Sequence, residues 1–575
     1  MKTQQLVLFA AMATTTALAA AGQEWSQWGQ GPQHNGAAAA VGQPARHLLA
    51  DVVYDPFIEQ EKADPNATGD LLVHYQAPLI DGDDVFMEFK SGTFTGIPTW
   101  ETQTWNERRL HWDHGALATR WSFASDWKPV PYGTPTLGPA WEPVFHAAIF
   151  GSYVYVPGAG GSIYRLNQSD GAVVAHVQPF GPAVDRDLFL TGPVTVDAHG
   201  NVYYDAIKLA HGKPWDDDVR GSWLVKVKPD GSSSKVSFAA LTPGAPGGSD
   251  KCPGVFDQSQ LPWPPSPNAV APKLRCGSQR AAINLSPAVA PDGTIYVLSV
   301  AHLTSRTAYV LAVNPDLTLK WKASLRDRFH DGCNVLIPPT GTPGGCRAGA
   351  HDGVDPAENR PGAGRVIEDS TASPVVAPDG SVLFGTYTGY NYAQGHLMHF
   401  SASGAYLGAY RFGWDTTPAI YRHDGTYSVV LKDNQYSGGS YCDDDTFCPS
   451  DRTANNPAYP EAYYITQLAS DLTVEWRWQN TNTLSCTRDA SGHVSCVSDH
   501  PAGFEWCIND AAVDPHGVVY ANSEDGNLYT IRQGGILRDN LFLELALGAA
   551  YTPLSIDEDG KIYTENDGHL FVVGN

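Results

Sequence analysis

Three consecutive carboxylates, Asp443, Asp444 and Asp445, stand between Cys442 and Cys448, and a second acidic run, Asp216-Asp217-Asp218, follows Trp215. Carboxylate oxygens at this density are the hard ligands that Ca²⁺ takes, so both runs are metal candidates. Neither has the D-x-D-x-D-G spacing that wraps a Ca²⁺ ion, and a solvated acidic loop is the preferred reading of each. Nineteen histidines supply groups able to move protons near neutral pH. His199, His423 and His516 stand in turn sequences and read as structural. His146, in a strand after Trp141 and Glu142, is the better candidate for proton transfer, as in a lyase acting on an acidic polysaccharide. The chain has no G-x-S-x-G elbow, no H-E-x-x-H helix and no G-x-x-x-x-G-K-[ST] phosphate loop.

The nine cysteines fall mostly into close neighbours: Cys252 with Cys276, Cys333 with Cys346, Cys442 with Cys448, and Cys486 with Cys496, leaving Cys507 over. Their segments are rich in Gly, Pro, Ser and Asp, which places them in loops. No C-x-x-C pair occurs, so disulfides that staple long loops are expected rather than a metal site.

The elements that must position such groups announce themselves by repetition. A small or polar residue and Pro lead into a short apolar strand, then an Asp-Gly or His-Gly turn, then an aromatic-rich strand. The clearest copy is Ser286-Pro287-Ala288-Val289-Ala290-Pro291-Asp292-Gly293-Thr294-Ile295-Tyr296. Further copies begin at Gly192, Ser373, Thr417 and Thr552, one at Asp510 lacks the leading Pro, and those at Ala77 and Glu142 are looser, making eight. Each is a β-hairpin by its chemistry, because the turn residues tolerate positive φ and the flanks favour strands. A lone hairpin cannot bury both faces, so the repeat demands neighbours. Downstream, Asp316-Leu317-Thr318-Leu319-Lys320-Trp321 parallels Asp471-Leu472-Thr473-Val474-Glu475-Trp476. A turn leading to an outer-strand Trp places a large flat ring between adjacent units. The pattern predicts an all-β chain: one eight-bladed β-propeller of four-stranded antiparallel blades over residues 25–575, with long disulfide-stapled loop insertions.

The s-P-Φ-Φ-x-x-D-G-x-Φ-Y phrase with its turn-then-Trp element resembles the pyrroloquinoline-quinone (PQQ)-like β-propeller repeat. So does the opening Trp25-Ser26-Gln27-Trp28-Gly29-Gln30-Gly31-Pro32-Gln33-His34-Asn35-Gly36. The resemblance implies that residues just before each inner strand face the mouth of a central funnel: His74, Tyr75, Trp141, Glu142, Arg280, Asn284, Glu368, Asp369, Trp414, Asp415, Glu505, Trp506, Asn509 and Asp510. Trp rings with Arg280 and carboxylates suit a sugar. Glu368 with Asp369, or Asn509 with Asp510, are candidates to hold Ca²⁺ through oxygen. Glu368, Asp369 and Asp510 join His146 as catalytic candidates. Against a PQQ- and Ca²⁺-dependent enzyme, the adjacent Cys-Cys pair typical of quinoprotein alcohol dehydrogenases is missing. The final repeat has room for two or three strands, so a strand near 47–57 is expected to close the ring.

Lys2 and the apolar run from Leu6 to Ala21 have the layout of a secretory signal peptide over residues 1–21, and later stretches are too short for a membrane span. A formal net charge of −24 excludes a nucleic-acid partner, whose phosphates need a basic face. The segments 240–282, 326–369 and 433–463 are long for loops and are expected to roof one face. The expectation is a secreted or periplasmic monomer that binds a carbohydrate or another small-molecule ligand at the funnel. A PQQ-dependent sugar or alcohol dehydrogenase, or a polysaccharide lyase, is the first alternative. A scaffold with a protein partner is the second.

Overall fold

Each repeat phrase is a two-strand hairpin at the axis of an eight-bladed propeller, seen in a computed structural model. It describes residues 25–66, 76–133, 144–252, 274–325, 354–355, 360–361, 366, 368, 372–387, 394–413, 416–435, 461–489, 491–506, 511–545, 547 and 554–575. From axis to rim, the first blade is Leu79–Asp81, Asp84–Gly92, Gln103–Asp113 and Ala116–Ala124. The inner strands of blades two to eight are Ala148–Phe150, Thr195–Val196, Ala288–Val289, Val375–Val376, Ala419–His423, Ala512–Val513 and Ser555–Ile556. All eight predicted hairpins are therefore inner hairpins.

Blades stack face to face, so their middle strands are buried on both sides. Val85, Met87 and Phe89 pack toward the last blade while Phe86 packs toward the second. In the fourth blade every residue of Ile295–Ala301 is buried, which is why these strands read as continuous apolar runs. The outer-strand tryptophans bridge blades as expected. Trp121 donates its indole N–H to the Gln168 carbonyl of the next blade (2.7 Å), and Trp321 to that of Ala402 (2.9 Å). Under these rings lie Gly171 and Gly404, where an added Cβ would come within 2.7 Å of the indole. Those turns have no Trp of their own; their glycines seat the Trp of the blade before.

The ring closes as expected. His47–Val53 pairs antiparallel with His569–Gly574 as the outermost strand of the last blade. The stretch before it does something the sequence did not disclose. Residues 25–43 run along the axis and meet the blades in order. The inner-strand N–H groups of Ile80, Ile149, Val289, Val376, Ile420 and Val513 donate to the carbonyls of Trp25, Ser26, Pro32, Gln33, Asn35 and Gly36, at 2.6–3.0 Å. In the third blade the Val196 N–H uses the Gln27 side-chain oxygen (2.6 Å). In the eighth, the Gln43 N–H donates to the Gly560 carbonyl (2.7 Å). One turn-rich segment thus touches all eight blades at the end of the channel where the inner hairpins turn. His34 is fully buried in it, with Nδ1 3.0 Å from the Pro374 carbonyl.

Two predictions follow from this plug. A chain lacking residues 25–57 loses both plug and closing strand and is expected to show no cooperative melt near that of the full chain; an unchanged melting temperature would refute the closure. Burial lowers the pKa of His34, and of His146 nearby, to about 4. The unfolded chain therefore takes up these protons first. Their contribution is complete above about pH 6.5 and is lost as pH falls toward 4. Urea midpoints measured from pH 7 to 4 should fall over that window, and more shallowly in His34→Gln.

Candidate functional site

Strand alternation sorts every connection onto one of two ends. Inner-hairpin turns lie at the plugged end. Links between blades, and loops between second and third strands, lie at the other end, the funnel face. The Cys252–Cys276 disulfide joins the link between blades three and four, and Cys486–Cys496 that between blades six and seven. Both pairings agree with the sequence expectation and both lie at the funnel face. The pairs Cys333/Cys346 and Cys442/Cys448 lie outside the described residues, as do Cys507 and the acidic run Asp443, Asp444 and Asp445.

Of the residues expected at the funnel mouth, the structure brings Arg280, Asn284 and Glu368 together in one buried lock. Arg280 is 1 % exposed and Glu368 is fully buried. They form a two-pronged ion pair in which Arg280 Nη2 donates to Glu368 Oε2 (2.8 Å) and Nη1 donates to Oε1. The Ile283 N–H also donates to Glu368 Oε1 (2.9 Å). Asn284, held at a φ of 66°, donates to the Glu368 carbonyl (2.9 Å) and accepts from the Val144 N–H (3.0 Å). Asparagine tolerates that left-handed backbone, and here it ties the entry of blade two to those of blades four and five. Arg280 Nε donates to His302 Nδ1 (3.1 Å). Burial, reinforced by the adjacent guanidinium, lowers the His302 pKa to about 4, so His302 is the neutral acceptor. Sequence reasoning missed His302, because no spacing signal links it to Arg280.

Two other expected residues are deep in the protein. Trp506 is fully buried, edge-on to Trp478 (5.8 Å) and Tyr529 (5.3 Å), and presents no face to solvent. His146 is 3 % exposed, edge-on to Trp28 of the plug (5.7 Å), with Nδ1 2.7 Å from the Ala147 carbonyl. Glu505 is described and accepts a weak hydrogen bond from Asn434 (3.5 Å). His74, Tyr75, Trp141, Glu142, Asp369, Trp414, Asp415, Asn509 and Asp510 lie outside the described residues.

The funnel face also carries an accessible cleft of about 740 Å³ between the first three blades. Trp100, Tyr132 and Phe189 give it aromatic walls, with Glu101, Lys128 and Arg186 among its charges. Arg186 is exposed, and no described residue pairs with it. Lys128 donates to the Gln103 carbonyl (2.6 Å), and burial lowers its pKa. The lock supports the cleft wall. Trp215 packs against both Arg280 (5.9 Å) and a stacked His302 (5.7 Å), and donates to the carbonyl of Pro131, which lines the cleft (3.0 Å). The sequence did not single out this cleft, since its residues come from four separate connections.

No known protein family's profile matches the chain, and no curated protein matches it by sequence. Solved structures do. A europium-containing methanol dehydrogenase superposes with a TM-score of 0.51 at 9% identity, over 94% of this chain and 89% of that one. The quinohemoprotein alcohol dehydrogenase from Comamonas testosteroni gives 0.50 at 11% identity, over 97% and 82%. What is shared is the fold. The PQQ-like resemblance therefore holds for the architecture. For a quinone with Ca²⁺, Glu368 is the funnel-mouth candidate among the described residues. Both Glu368 carboxylate oxygens are engaged by Arg280 and one also by a backbone N–H. Among the described residues, no three His, Cys, Asp or Glu side chains gather as a metal site. Glu368, so engaged, does not fit a Ca²⁺ cradle; Asp369, Asn509 and Asp510 lie outside the described residues.

Removing one member of the lock leaves a buried charge without its partner. Glu368→Ala should cost about 3–5 kcal/mol, whereas Arg280→Met with Glu368→Leu should recover most of it. Denaturant unfolding of both variants checks this, and an equal loss in the double variant would show that an unpaired buried charge is not what Glu368→Ala costs.

Proposed function

We propose that the chain is an exported propeller of the quinoprotein-dehydrogenase fold whose funnel face takes a hydroxyl-bearing small or extended ligand. One observation carries this reading. The plug fills the turn end of the channel, while the other end offers a cleft with aromatic walls and charges of both signs. Apolar rings pack on the C–H faces of such ligands, and charged side chains take their hydroxyl hydrogen bonds. Two disulfides fit an oxidising compartment, and among the described residues no helix is long and apolar enough to cross a membrane.

A second reading, oxidation of an alcohol or sugar with PQQ, draws on the likeness to two alcohol-oxidising enzymes over nearly the whole chain. It needs a metal set that Glu368 does not provide.

Thermal unfolding with and without PQQ plus Ca²⁺, then with a panel of sugars and alcohols, separates the two. A saturable rise in melting temperature with a sugar or alcohol, lost in Tyr132→Ala and Arg186→Ala, supports binding at the cleft. A rise with PQQ plus Ca²⁺, followed by dye-linked oxidation, supports the enzyme. No shift with any of these compounds overturns both.

A further inference from the structure

The Cys486–Cys496 hairpin does more than decorate the funnel face. Its strands, Leu484–Arg488 and Val494–Ser498, stand over the seam between blades six and seven. Beneath them runs a groove of about 470 Å³, away from the cleft of the first three blades. The disulfide itself forms part of its wall. In a chain with a formal net charge of −24, none of the described residues lining this groove carries a formal charge at neutral pH. The polar lining is instead mostly asparagine.

Two of these asparagines are committed to the framework. Asn480 donates to Ser523 Oγ (2.9 Å), and its oxygen accepts from the Asn482 N–H (2.9 Å). Asn482 donates to Asp525 (2.9 Å) and accepts from the Leu484 N–H (3.1 Å). The other two are not used up. The Asn540 amide nitrogen donates to the Asn527 oxygen (3.2 Å), which leaves the Asn527 amide nitrogen and the Asn540 oxygen without a partner among the described residues. The result is a donor and an acceptor held side by side by one hydrogen bond. Two adjacent hydroxyls, each able to donate and accept, are the natural complement of that pair.

The apolar side of such a ligand is also provided for. Trp478 is half-buried in the groove and fixed from behind by Trp506 (5.8 Å) and Tyr529 (5.1 Å), so its ring is already in place. Phe542 lines the same groove, capped by the Arg488 guanidinium at 5.4 Å. The lining side chains themselves offer an ionised ligand no counter-charge, and the charges nearest them, Arg488 over Phe542 and Asp525 behind Asn482, are held by hydrogen bonds to the framework.

We propose that this groove binds a neutral saccharide, at a site separate from the cleft. The test is titration of the full mature chain with fluorescently labelled cellohexaose, maltohexaose, xylohexaose and mannohexaose at low and high salt. At least one is expected to bind with an affinity that salt leaves unchanged, since no charge is neutralised. Asn540→Ala should weaken that binding about tenfold. Asn540 is exposed, so its melting temperature should match the parent and a folding defect would be seen as such. In a Tyr132→Ala background, which disables the cleft, the part of the binding that Asn540→Ala weakens should persist. No binding by any of the four sugars, or full binding by Asn540→Ala, overturns the site. Loss in Tyr132→Ala alone would put the sugar in the cleft, overturning this groove while leaving the earlier reading intact.

Discussion

Eight sheets arranged about one axis turn their inner edges toward a common channel, and each edge carries backbone N–H groups that no strand can pair. Unpaired buried backbone groups are costly. The chain meets this constraint with its own first residues. The turn-rich run beginning at Trp25 offers one acceptor after another to successive blades, and Gln27 supplies a side-chain oxygen in the third. The irregularity of that segment is what suits it to the task. A regular strand could satisfy one neighbouring edge, whereas a chain that changes direction every few residues can reach eight.

Filling one end of the channel decides where chemistry is possible. The connections at the opposite end are longer, carry both described disulfides, and enclose the cleft and the groove. Between them lies the Arg280–Glu368 lock, which gathers the entries of blades two, four and five and backs the cleft through Trp215 and His302. A buried ion pair is weak evidence for stability as such. Here it fixes the relative position of three blade entries with little regular structure, a matter of geometry more than of energy.

The hairpins were legible because their information is local. Asp292-Gly293, Asp379-Gly380 and Asp559-Gly560 each set a turn within a few residues, and Pro marks each strand's start. The closing strand was legible from a deficit, the shortness of the last repeat. The Cys252–Cys276 and Cys486–Cys496 pairs could be read because their partners are near in sequence. The lock was not readable as a lock: Arg280 and Glu368 are 88 residues apart, and polar residues before inner strands read equally well as ligand contacts. Trp506 was expected on an open surface for the same reason, yet the aromatic rings of Trp478 and Tyr529 enclose it. The plug was hidden more completely, since its contacts are almost all made by backbone atoms, which carry no residue-type signal.

The strand His47–Val53 finds its partner in His569–Gly574. Gln43 meets Asp559, 516 residues further on. Joining ends that far apart costs about 5.5 kcal/mol of chain entropy, and contacts made by the intervening blades must offset it before the ring can shut. A ribosome delivers the strand His47–Val53 long before its partner His569–Gly574. Residues 47–53 are thus among the last to be sheltered, and every chain that stops short of the final hairpin carries an open seam with two bare sheet faces. Such surfaces associate with one another when left waiting. The architecture therefore ties the yield of native protein to how quickly the final hairpin arrives, and makes truncation near the C-terminus as damaging as loss of the first fifty residues.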